Sequence, residues 1–175
     1  GATPAQGRGR GFDLIQEYPA DPNEVVGLLN GFKVEIVAKA DRPTQGAWIS
    51  LAEDDQGRII LGANEQQPFT RLTLAQGKVV KTETIFTPVS ESMGITWHNN
   101  ALYVQGGRLE KTFTQAIDNP GFGRQSGQAG LHRLRDPKGD GSFADVTTLR
   151  TWDGWEGGHS DHGVHEARVT PDGKY

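Results

Sequence analysis

The stretch AWISLAEDDQGRIILG, residues 47–62, decides how this chain is read. Ala47-Trp48-Ile49-Ser50-Leu51-Ala52 is mostly apolar, Glu53-Asp54-Asp55-Gln56-Gly57 is polar and ends on glycine, and Arg58-Ile59-Ile60-Leu61-Gly62 is apolar again. Two short apolar runs around a polar, glycine-ended link predict a β-hairpin. Working outward, residues 69–74 and 78–84 predict a third and a fourth strand. The pattern then recurs as 93–97, a turn on His98-Asn99-Asn100, then 101–104, 130–135 and 146–150. A third copy opens at 165–169 and turns on Thr170-Pro171-Asp172-Gly173. Ile95 stands 46 residues after Ile49; the next step, to Ala167, is lengthened by an insertion rich in Gly and Gln, residues 106–129.

A repeat of about 40 to 50 residues that yields four strands each time is the mark of propeller blades. The expected fold class is therefore all-β, a β-propeller. Residues 32–175 are read as its N-terminal blades, truncated at the C-terminus, and supply roughly two and a half of the four to eight blades such a ring needs. A small sandwich also has short strands and frequent turns, but a hairpin followed by an outer pair, twice over, favours blades. Upstream, Phe32, Val34 and Ile36 alternate with Lys33, Glu35 and Val37, which predicts one more strand. Residues 1–31 are read as a flexible segment containing the one expected helix. There Asp21 is placed to cap, Pro22 to start and Asn30-Gly31 to stop a short apolar run.

Eighteen Lys and Arg against 22 Asp and Glu leave a net charge of −4, which excludes an electrostatic grip on nucleic acid or an anionic membrane. No apolar run approaches the roughly 20 residues that span a bilayer, so no membrane span is expected. Gly (24) and Pro (9) together make close to a fifth of the residues, which disfavours long helices. Without cysteine there are no disulfides, thiolate metal sites or attached haem. The opening GATPAQGRGRG begins on glycine and reads as what remains after a leader is removed. A periplasmic or otherwise exported protein is expected.

Three of the five histidines lie in WDGWEGGHSDHGVH, residues 152–165. Imidazole suits both metal ligation and general-base work near neutral pH. His162 and His165 are the expected catalytic pair, provided Gly163 bends the chain so that both rings meet; Asp161 would orient one of them, and His159 reads as merely exposed. Trp152 and Trp155 offer flat faces to a sugar or a quinone ring and are the candidate cofactor-binding residues. Asp136, Asp140 and Asp145, in DPKGDGSFAD, are spaced about glycines as in calcium loops. Lys138 stands at the third position and Thr147 at the twelfth, where that loop wants acids, so a plain hairpin turn is the competing reading. Trp48 and Trp97 read as core. No phosphate-binding glycine loop and no nucleophile elbow is present.

The stretch GFKVEIVAKADRPTQGAWISLAEDDQGRIILGANEQ, the phrases NNALYVQGG and GLHRLRDPKGDGSFADVTTLRTWDG, and the ending DHGVHEARVTPDGKY resemble the N-terminal part of the sorbosone and glucose dehydrogenase-like β-propellers. The likeness is greatest to the large exported forms, described as membrane-bound dehydrogenases or haem-binding proteins, with further domains and a cytochrome c segment downstream. It runs over most of residues 31–175. It implies a six-bladed propeller, export, and oxidation of a sugar or polyol with pyrroloquinoline quinone and calcium as cofactors. The partners would be that small substrate and the remaining domains of a longer protein. The other reading is a non-catalytic propeller that binds a glycan or a protein partner within an exported assembly; a lactone or ester hydrolase is a third.

Overall fold

A computed structural model describes residues 31–63, 67–108, 128–152 and 167–173. The chain divides into two compact units, Gly1–Ile36 and Val37–Tyr175. In the described part of the first, Lys33 and Glu35 form an exposed ion pair at 2.5 Å. The strand expected at 32–37 is absent, because these residues are not paired in any ladder. Alternation of apolar side chains marks a face but cannot supply a neighbouring strand. The helix expected at 21–31 lies outside the described residues.

The second unit opens with a helix that the sequence did not announce, α1 (Arg42–Gln45). It is one turn long. Asp41 accepts from the Thr44 and Gln45 amides at 3.1 and 2.8 Å, the Gln45 side chain accepts from the Asp41 amide at 2.8 Å, and Gly46, at φ +65, ends it. Four residues are too few to show a helical period.

Eight strands follow: β1 (Trp48–Glu53), β2 (Ile59–Ala63), β3 (Phe69–Ala75), β4 (Lys78–Ile85), β5 (Val89–His98), β6 (Ala101–Arg108), β7 (Gln128–Arg135) and β8 (Asp145–Thr151). They form two four-stranded antiparallel sheets, β1-β2-β3-β4 and β5-β6-β7-β8, each in chain order. Every strand expected from the second unit's two complete copies is present. The insertion is shorter than expected, since Gly106 and Ala129 sit opposite Gly130 and Gly107 in the β6–β7 ladder. The third copy differs, because residues 167–169 join no ladder. The turn after them forms as expected, with the Gly173 amide donating to the Thr170 carbonyl at 2.8 Å.

The sheets pack through β5, which lies against β1 and β2. Ala52, Ile60, Phe69 and Ile85 from the first sheet meet Ile95, Leu102, Val104 and Leu134 from the second in one core, joined by Val89 and Phe143. Trp97 and Val146 pack against it, and the Trp97 ring meets Phe143 edge to face, 6.0 Å between centroids. Two serines stitch the seam. Ser50 Oγ donates to the Ser92 carbonyl at 2.8 Å, and Ser92 Oγ to the Ala63 carbonyl at 3.3 Å. Within the first sheet Arg71, 5% exposed, holds its ladder partner Glu83 through Nε and Nη2 at 3.2 and 3.1 Å. A Cβ on Gly141, in the β7–β8 turn, would come within 2.8 Å of the Arg71 Nη2 atom.

Candidate functional site

The antiparallel order puts the β1–β2, β5–β6 and β7–β8 turns at the same end of the sheets. Between the ends of β1 and β5 and residues 168–169 lies an open cleft of about 450 Å³, within the range of small-ligand sites. Its lining combines Glu53 from β1, Thr96, Trp97 and His98 from β5, and Arg168 beyond the second sheet, over an apolar floor of Ala52 and Ile95. The third segment is held there by Thr96, whose Oγ1 donates to the Ala167 carbonyl at 2.6 Å. A carboxylate accepts, a guanidinium donates, an imidazole does either, and an indole offers a flat edge. That set suits a ligand with many hydroxyls, since each hydroxyl both donates and accepts.

None of the described candidate site residues, Trp152, Asp136, Asp140 and Asp145, lines this cleft. His162, His165 and Trp155 are outside the described residues, as are Asp161, Gly163 and His159. Trp152 follows β8, at the end of the second sheet away from the cleft. Its amide donates to the Ala129 carbonyl at 3.0 Å, and the Arg150 guanidinium lies 5.1 Å from its ring centroid. One ring face therefore already has a cation against it.

Asp136 and Asp140 belong to the β7–β8 turn and Asp145 opens β8; none of the three lines the cleft. Asp136 accepts from the Asp140 amide through Oδ1 at 3.1 Å and from the Gly141 amide through Oδ2 at 2.6 Å. Asp140 Oδ1 accepts from the Ser142 amide at 2.9 Å, and the Ser142 hydrogen bonds hold its carboxyl below the usual carboxylate range. These oxygens serve the backbone of their own turn. Among the described residues no three His, Cys, Asp or Glu side chains are grouped to hold a metal ion, these three aspartates included.

Glu53, His98 and Arg168 carry the cleft's charge and polarity, and sequence reading passed over all three. By sequence alone Glu53 and His98 are turn residues and Arg168 is part of a strand. A usable signal was there: each sits near the end of the first strand of its copy, so the repeat itself brings them to one place. Compared with protein-family models, with curated proteins and with solved structures, the chain matches none. No described helix is long and apolar enough to cross a membrane.

Proposed function

We propose that the chain is part of a six-bladed, exported β-propeller that oxidises a sugar or polyol, with a bound quinone taking the electrons. The observation that carries this reading is the cleft. Consecutive four-stranded sheets pack first strand to first strand, and the third copy begins against the second. A polar, aromatic-edged hollow results where the three first segments come together. The family resemblance adds pyrroloquinoline quinone and calcium. Arg168, as a permanent cation, suits a carboxylated quinone in the cleft; Trp152 stands at the other end of its sheet, so Trp155 is the proposed aromatic contact. His165, with His162, is proposed as the base that takes the substrate proton.

The test is dye reduction by the protein incubated with pyrroloquinoline quinone and calcium chloride, across a panel of aldoses and polyols. Substrate-dependent reduction is expected. His165→Ala should abolish it while the melting temperature stays within a few degrees, and Arg168→Ala should raise the quinone concentration needed. Sugar binding by calorimetry without dye reduction would favour the non-catalytic, glycan-binding reading. Absence of both would remove the cleft as a sugar site.

A further inference from the structure

Residues 136–144 join β7 to β8 by a longer path than a tight hairpin needs, and that path carries a bulky side chain inward. Phe143 is 1% exposed, within the core between the sheets, yet its backbone sits at φ +48. A phenylalanine in this left-handed region is an outlier, because its Cβ crowds the following carbonyl oxygen. Such a conformation persists only where the surroundings hold it. The turn supplies that hold. Asp136 accepts from the Asp140 and Gly141 amides, and Asp140 from the Ser142 amide. Gly141, at φ +83, lies so close to Arg71 that a Cβ there would press on the guanidinium, which Glu83 fixes in turn.

The inserted ring reaches the cleft from behind. It meets Trp97 with the two planes at 88°, and Trp97, half-buried, lines the cleft between Thr96 and His98. Across the ladder Trp97 faces Leu102, an aliphatic side chain that favours no particular ring angle. Phe143 does favour one, since the aromatic quadrupoles prefer an edge-to-face arrangement.

We propose that Phe143 is a positioning residue, which fixes the angle of the Trp97 indole so that the indole forms the aromatic wall of the cleft against the C–H face of a sugar ring. This rests on the cleft being the sugar site proposed above. Phe143 itself touches no ligand. Its effect is preorganisation: an indole already held in one rotamer has little freedom left to lose when a sugar packs on it, and without that hold affinity falls by about three- to tenfold.

The whole chain labelled with ring-fluorinated tryptophan gives one fluorine resonance for each of its four tryptophans, and Trp97→Phe identifies the one from Trp97. Phe143→Leu keeps an apolar side chain on the same strained backbone; it should shift and broaden the Trp97 resonance and leave the other three in place. Asp136→Asn, which turns one of the turn's two acceptors into a donor without altering the core, should move that resonance alone, and it decides the matter if Phe143→Leu does not fold. An unmoved Trp97 resonance overturns the proposal, as does movement of all four, which would mean a general loosening. Titration with glucose should move the Trp97 resonance of the parent chain, with a midpoint about three- to tenfold higher in Phe143→Leu. By calorimetry, Phe143→Leu added to Trp97→Phe should weaken glucose binding no further; equal weakening in both backgrounds would make Phe143 merely structural. If glucose and other sugars move no resonance of the parent chain, the failure is that of the cleft as a sugar site, and the variants' effect on the Trp97 resonance still decides whether Phe143 positions it.

Discussion

Gly62 shows how closely the two sheets approach. A Cβ added there would run into the hydroxyls of Ser50 and Ser92 and lie 2.9 Å from the Ser92 Cβ. Gly62→Ala is therefore expected to destabilise the chain by roughly 1–3 kcal/mol, the usual cost of overpacking a filled seam. It would be read as a lower urea midpoint, and Ser92→Gly in the same chain should recover part of it. An unchanged midpoint would show that the seam is looser than described. Glu83 gives a second residue-scale expectation. Hydrogen bonds from Arg71, then from Lys81 at 2.9 Å, lower its carboxyl to about 2 from an ordinary 4.5. Between those values the unfolded chain binds the extra proton, so stability rises with pH there. The clamp's contribution should be complete above about pH 4.5 and fade as pH falls towards 2. Urea melts from pH 2 to 6 should show a shallower acid slope for Glu83→Gln, and an unaltered slope would remove Glu83 as its source.

The hairpins set the register of each element. Gln76 and Gly77 have φ of +50 and +75, and Asn99 and Asn100 have +48 and +55, so both turns place two left-handed residues between strands whose twist they match. Asparagine tolerates that region far better than glutamine. Gln76→Asn should therefore raise stability by up to about 1 kcal/mol, read as a higher melting temperature without change in the circular dichroism of the strands. A lower melting temperature would mean that the Gln76 side chain makes a contact worth more than the strain. The strands were legible because each is an apolar run closed by such a turn, and 47–52 and 58–62 fall within a residue of β1 and β2. Residues 32–37 misled because their alternation has no neighbour to pair with. The cleft was not legible residue by residue. Glu53 and His98 are ordinary hairpin-end residues until the packing of β1 against β5 sets them beside Arg168.

At the scale of the whole molecule, β1 is covered on one side only. Its Ala52 side faces the core, whereas Ile49 and Leu51, 44% and 60% exposed, stand beside an edge that no strand among the described residues pairs with. Such an edge invites another chain. Sedimentation velocity should show association that grows with concentration and that Leu51→Lys reduces; a monomer at all concentrations would contradict this. The sheets themselves exchange no strand. Each draws its four strands from one unbroken run of chain, in order, and touches the other only through side chains and the β5 seam. Duplicating or deleting one such run in a gene would leave every remaining sheet threaded as before, needing only a compatible seam at the new junction. Length in whole repeats is thus open to inheritance by copying, while a break inside a repeat would strand half a sheet without its neighbours.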